Sequence, residues 1–247
     1  MKQYQAILFD LCDTLMAFRS DRMPLAKIRG EEIRTTSPLL YQCFLQHADP
    51  IPYETFHDDF VETTESVRLL RAQLGEEISS AIRFAQFLDR LGINRGDRWN
   101  LLHRNLIETH LARIALCLDF SPEHRDLLNR LKGRYRIGLV SNFDDTDTVY
   151  QVLKREGIDP LFDAIIISSE IGIRKPRREI FLAASEKIGV SPAETLFIGD
   201  SFENDVIGAK RVGMDAAWIN PAGLPVPSQE PHPDYLLSGL TELSKYV

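Results

Sequence analysis

Cysteine is scarce in this chain. Three stand among 247 residues, at Cys12, Cys43 and Cys117, and no two form a Cys-x-x-Cys pair. An odd count this low argues against a disulfide framework and fits a reducing compartment. The six histidines are scattered, with no His-x-x-x-His or Cys/His spacing that would hold zinc. Long apolar runs are missing too. No segment approaches the ~18 consecutive apolar residues of a membrane helix. The run Ala6 to Phe9 is cut off by Asp10 and is too short for a signal-peptide core. A cytoplasmic location without a membrane partner is therefore expected. Basic excess is also absent: 29 Lys and Arg face 36 Asp and Glu, a formal charge of -7. That balance speaks against a nucleic-acid partner. The cluster Arg174, Lys175, Arg177 and Arg178 is too short to change it. No internal repeat or low-complexity tract is visible.

What is present is an ordinary globular composition, 44% hydrophobic and 26% charged. The length allows one large α/β domain and a smaller partner. Ala6-Ile7-Leu8-Phe9 reads as a buried strand of a parallel sheet. From about Phe18 to about Ala115 strand-like runs vanish and helical periodicity takes over. Ser37-Pro38 reads as an N-cap with proline at the first helical position. Phe56, Phe60, Val61, Val67 and Leu70 form one stripe, Ile78, Ile82, Ala85 and Leu88 another, and Leu102, Leu106 and Ile114 a third. After that the chain alternates. Strands are expected over 135–140, 164–168, 195–199 and 216–219, with helices over 121–132, 146–156, 178–188 and 204–212. Residues 221–233 hold five prolines and read as a semi-rigid surface connector.

The first strand has no neighbour in sequence, so the helical stretch is best read as an insertion. The expected fold class is α/β. A doubly wound parallel sheet, a Rossmann-type core of residues 1–17 and 116–247, carries an inserted all-α helical cap of residues 18–115.

In such a sheet ligands bind beyond the carboxyl ends of the strands. Asp10 follows the first strand, Ser141 and Asn142 follow 135–140, and Asp200 follows 195–199, with Asp205 five residues on. Lys175 lies in the loop after 164–168. Three carboxylates in one crevice repel unless their pKa values rise or a cation sits among them. Magnesium suits oxygen ligands and bridges to phosphate oxygens. Ser141, Asn142 and Lys175 offer the complement of a phosphate: hydroxyl, amide and positive charge. Asp10 then has the chemistry of a carboxylate nucleophile that forms an aspartyl phosphate.

Four segments carry a family likeness: Phe9-Asp10-Leu11-Cys12-Asp13-Thr14-Leu15, Val140-Ser141-Asn142, Lys175-Pro176 and Gly199-Asp200-Ser201-Phe202-Glu203-Asn204-Asp205. In order and spacing they resemble the four motifs of the haloacid dehalogenase superfamily, and the helical insertion resembles its first cap type. Each motif alone is weak; four in order are specific, and together they span nearly the whole chain. The resemblance implies a magnesium-dependent hydrolase of a small phosphorylated metabolite, monomeric or homodimeric. It also implies a nucleophile at Asp10, a phosphate donor at Ser141 and a positive clamp at Lys175. The metal ligands it implies are Asp10, Asp200, Asp205 and the backbone carbonyl of Cys12.

One position departs from the pattern. Phosphatases of the superfamily usually carry a second Asp two residues after the nucleophile, followed by glycine; here these are Cys12 and Asp13. Cys12 reads as a small buried hydrophobe, since a thiol among carboxylates is a poor acid. Asp13 reads either as a substitute acid or as a turn residue. Two rival functions follow: a 2-haloacid dehalogenase, which the retained Asp200–Asp205 pair argues against, and a catalytically degenerate binder of a phospho-ligand or partner protein.

Overall fold

The computed structural model describes residues 3–228 and 231–247. Among these described residues, ten strands follow in chain order: β1 (Ala6–Phe9), β2 (Met16–Phe18), β3 (Leu25–Ile28), β4 (Glu31–Arg34), β5 (Leu118–Phe120), β6 (Arg136–Ser141), β7 (Ala164–Ile167), β8 (Thr195–Gly199), β9 (Asp215–Ile219) and β10 (Tyr235–Leu237). Six of them make one sheet in the order β10-β9-β8-β1-β6-β7. Every pairing in it is parallel. β1, β7 and β8 are buried along their whole length, which is why they read as continuous apolar runs rather than alternating ones. This is the doubly wound α/β core that the sequence predicts.

The chain divides into two compact units, Met1–Phe18 with Asp119–Val247 and Arg19–Leu118. In the first, the helix Arg178–Ile188 lays Ile180, Phe181 and Ala184 on the sheet beside Leu8, Val140 and Phe197. The Phe181 and Phe197 rings meet edge to face at 5.0 Å. The helix Pro122–Leu131 starts on the Ser121 hydroxyl, which accepts the His124 N–H at 3.2 Å. The expected helix over 204–212 differs: a π-helical turn, Phe202–Ile207, leads into a short α-helix, Gly208–Arg211. Of the connector at 221–233, residues 229–230 lie outside the described residues.

The second unit is built on four helices, Ser37–Phe44, Tyr53–Leu74, Ser80–Arg90 and Asp97–Cys117. Its core is aromatic: Phe44, Phe56, Phe60, Phe84 and Phe87 pack with Leu40, Leu88, Leu102 and Leu106. Phe56, Phe60, Val67, Leu88, Leu102 and Leu106 are buried as the stripes predict, while Val61 and Leu70 are exposed. On the helix Ser80–Arg90 the buried face is shifted: Ile82 is exposed and the larger rings of Phe84 and Phe87 take the inner face. Thr36, not Ser37, is the N-cap of the first of these helices. The Ser37 hydroxyl instead bonds the Tyr53 hydroxyl at 2.9 Å and His57 Nδ1 at 2.8 Å. The unit also holds an antiparallel hairpin, β3 with β4, that helical periodicity passes over. Arg29 and Gly30 both have positive φ, 48° and 89°, as a two-residue hairpin turn requires.

Candidate active site

β1 lies between β8 and β6, and the register pairs Phe9 with both Ile198 and Leu139. The chain runs from β6 to β7 on one side of β1 and from β8 to β10 on the other. The strand order therefore reverses beside β1, the place where an α/β sheet opens a crevice. Residues that follow these strands meet there. A cavity of about 190 Å³ is lined by Asp10, Cys12, Asp13, Ser141, Asn142, Arg174, Lys175, Asp200, Ser201, Asn204 and Asp205. All the site residues expected from the sequence line it.

Lys175 is its hub. The ammonium lies 2.5 Å from Asp10 Oδ1 and 2.7 Å from Asp205 Oδ1. Lys175 is 4% exposed, Asp10 7% and Asp205 1%. Burial alone would lower the Lys175 pKa, but Asp10 and Asp205 outweigh it and hold the ammonium above the ordinary lysine range. The loop that delivers Lys175 is fixed by Asn142. Its Nδ2 donates to the Lys175 carbonyl at 3.0 Å, and its Oδ1 accepts the Lys175 N–H at 2.8 Å. The Lys175–Pro176 peptide is cis. The side chain of Asn142, read from the sequence as a phosphate donor, is thus committed to the backbone of Lys175.

The acidic pair depends on a glycine. A Cβ at Gly199 would stand 2.2 Å from Asp205 Oδ2, so only glycine lets Asp205 fold back over the end of β8. Asp205 Oδ2 accepts the Ser201 N–H at 2.9 Å, and Ser201 Oγ accepts the Asn204 N–H at 3.2 Å. These bonds close the turn that carries both acids.

Asp10, Asp200 and Asp205 bring oxygens within 4.8 Å of one another. Burial pushes the Asp10 carboxyl up to about 7 against the opposing pull of Lys175, and the charges of Asp205 and Asp200 add to the rise. Asp200 is pushed up to about 6, by burial first and by Asp205 second. A site that resists its own negative charge, with hard oxygen donors and no histidine or thiolate among them, fits magnesium. The ammonium of Lys175, which meets Asp10 and Asp205, balances only part of the charge.

The loop after Asp10 shows what became of the two departing positions. Asp13 stands at φ 56°, the left-handed conformation that glycine adopts freely and that Asp tolerates better than most residues. Its carboxylate accepts the Phe18 N–H at 2.9 Å. Cys12 forms a bridge with Met16, and the bonds belong to its neighbours: Met16 N–H donates to Leu11 O and Asp13 N–H to Met16 O. Burial first, then the charges of Asp10 and Asp13, pushes the Cys12 thiol well above its ordinary range.

Several residues at the site have no role expected from the sequence, although Thr14 and Asn204 stand inside the quoted segments. Arg174 and Asn204 line the cavity. Thr14 Oγ1 donates weakly to Asp200 Oδ1 at 3.4 Å, and Trp218 Nε1 donates to the Asp200 carbonyl at 2.8 Å. No helix among the described residues is long and apolar enough to cross a membrane.

The chain matches the family model described as haloacid dehalogenase-like hydrolase over residues 4–213. It is 42% identical over 211 residues to the glyceraldehyde 3-phosphate phosphatase of Methanopyrus kandleri, which spans 85% of this chain and 81% of that protein. To the protein of the same name from Pyrococcus furiosus it is 25% identical over 246 residues, 98% of this chain and 92% of that one. A crystal structure of a 2-haloacid dehalogenase from Pseudomonas syringae pv. Tomato has a TM-score of 0.72 over 99% of this chain and 97% of its own, at 21% identity. That likeness is one of fold.

Proposed function

Because this chain belongs to the haloacid dehalogenase-like hydrolases, we propose that it is a magnesium-dependent phosphatase that transfers the phosphoryl group of a small metabolite to Asp10. The observation that carries this reading is the Lys175 ammonium bridging Asp10 and Asp205, with Asp200 within 4.8 Å of both acids. Lys175 favours the ionised form of Asp10 against burial and orients its carboxylate, and Asp10 is placed as the nucleophile. One Asp10 oxygen attacks phosphorus, the ester P–O bond breaks with its electron pair on the departing oxygen, and water then hydrolyses the acyl phosphate.

Asp10, Asp200, Asp205 and the Cys12 carbonyl would hold the magnesium ion. Bound there, it would screen the carboxylates from the incoming phosphate and neutralise charge on the transferring group. Ser141, buried at the end of β6, supplies a hydroxyl to the phosphate. Asn142 acts through Lys175. The metal acids favour this reading over dehalogenation, which needs no cation.

Relatives named glyceraldehyde 3-phosphate phosphatase make a three-carbon phosphate the first substrate to try. The test is phosphate release from a metabolite panel with magnesium and with EDTA, with chloride release from haloacids in parallel. Magnesium-dependent phosphate release that Asp10→Asn abolishes is the expected result. Full activity in EDTA, or chloride release alone, would move the assignment to a dehalogenase. Tight phosphate binding without turnover would make the chain a binding protein.

A further inference from the structure

Asp200 lies just past the end of β8, so no strand pairing fixes its backbone. What holds it comes from the next strand. The β8–β9 register sets Trp218 directly opposite Gly199, the residue before Asp200. From there the Trp218 indole N–H reaches over and donates to the Asp200 carbonyl at 2.8 Å. The same ring meets Phe202 edge to face at 5.1 Å and 65°. Phe202 opens the π-helical turn that carries Asp205. Trp218 is 5% exposed and packed into the core cluster with Phe197, Val206 and Ala216. One rigid side chain therefore grips the segment between the two acids at two points, by a hydrogen bond at Asp200 and by ring packing at Phe202.

We propose that Trp218 is a positioning residue for the cation site: its indole N–H fixes the backbone of Asp200 and its ring fixes the start of the turn bearing Asp205. This rests on the magnesium reading given above. The physical reason is that three mutually repelling carboxylates do not hold their own geometry. A carboxylate whose backbone can swing relaxes away from its neighbours, and the cation must then pull it back at a cost in affinity. Groups that orient metal ligands without touching the metal typically matter by about 10- to 100-fold in affinity. Trp218 is suited to the task because an indole offers a single directed donor and no acceptor that could itself draw the cation.

The test compares wild type with Trp218→Phe, which keeps a ring against Phe202 but loses the N–H, and with Phe202→Leu, which loosens the other contact and leaves the indole bond. Magnesium binding to metal-free protein is measured by titration calorimetry, alongside melting in EDTA and kcat at saturating magnesium. Trp218→Phe is expected to raise the magnesium dissociation constant about tenfold. Phe202→Leu is expected to raise it by a smaller factor. In both, kcat at saturating magnesium stays within about twofold of wild type, since the transition-state contacts remain. Trp99→Phe, in the other unit, is the control and leaves binding unchanged. Unaltered magnesium affinity in Trp218→Phe would overturn the proposal, and a drop in EDTA melting temperature with unaltered affinity would make Trp218 a packing residue. Should Trp218→Phe not fold, Phe202→Leu with wild-type affinity overturns the ring's part, and Thr or Val in place of Phe202 repeats that reading. If wild-type protein binds no magnesium, it is the proposed function that fails.

Discussion

The carboxamide of Asn142 holds the peptide of Lys175 at both ends, accepting its N–H at 2.8 Å and donating to its carbonyl at 3.0 Å, across 33 residues of sequence. Asn142 thus ties the end of β6 to the loop after β7, and it sets where the ammonium sits between Asp10 and Asp205. Asn142→Ala is expected to lower kcat by about a hundredfold, the scale of a misplaced catalytic group, while the affinity for inorganic phosphate changes little. In a Lys175→Met background the same substitution adds little further loss, because the two residues act as one unit. Additive losses, or a change in KM alone, would return Asn142 to a direct contact with phosphate.

Gly199→Ala tests the turn that carries the acids. The added methyl would collide with the Asp205 side chain at 2.2–2.5 Å, and Asp205 is almost wholly buried. Overpacking of this kind costs about 1–3 kcal/mol. A lowered melting temperature and a raised magnesium requirement are expected together. A stable Gly199→Ala protein with wild-type activity would mean that the turn relaxes freely.

What the sequence makes legible follows physical range. Phe9-Asp10 and Gly199-Asp200 announce themselves because a buried strand ending in an acid is a local pattern, and the parallel sheet then aligns the ends. The helix Arg178–Ile188 has the bounds expected from the sequence. The β3–β4 hairpin is missed because Arg29-Gly30 lacks the usual Asn-Gly or Asp-Gly, and the strands are only four residues each. The roles of Asn142 and Trp218 are invisible for another reason. Both depend on how consecutive parallel strands, joined by a helical crossover, come into register, and no local pattern encodes which backbone a side chain will meet. Asp13 lies between: a glycine position filled by Asp hints at positive φ, but only the fold shows its carboxylate on the Phe18 N–H.

In the helical unit, His57 links structure to pH. It is buried against Tyr53, with Nδ1 bonded to the Ser37 hydroxyl. Burial lowers its pKa, aided by the Arg29 charge and opposed by Asp58. The unfolded chain therefore binds a proton that the folded chain resists, and stability falls as pH drops below about 6.5, the ordinary histidine value. Melting temperatures at pH 7.5 and 5.0 should differ more for wild type than for His57→Gln. An equal drop in both proteins would place the titrating group elsewhere.

The last prediction concerns Cys12 and Asp13, where the sequence departs from the motif it resembles. General acid catalysis is typically worth ~10²–10⁴ in rate. The Cys12 thiol, held protonated by burial and by the charges of Asp10 and Asp13, gives up its proton too reluctantly to supply much of that. An alkoxide leaving group needs a proton early; an aryl oxide or a carboxylate does not. Turnover of alkyl phosphates should therefore be slow and that of aryl or acyl phosphates faster. Cys12→Asp places a carboxyl two residues from Asp10 on the wall of the same cavity, and it should raise the rate on alkyl phosphates with little effect on aryl ones. The rival is that Asp13 already acts as the acid. Its carboxylate holds the Phe18 N–H, which fixes it in place. If Asp13 is the acid, Asp13→Asn should be nearly as damaging as Asp10→Asn, and Cys12→Asp should change little. If Asp13 only shapes the loop, Asp13→Gly, which also suits φ 56°, should keep activity. Rates of these variants on one alkyl and one aryl phosphate separate the two, because only a proton donor acts selectively on the poorer leaving group.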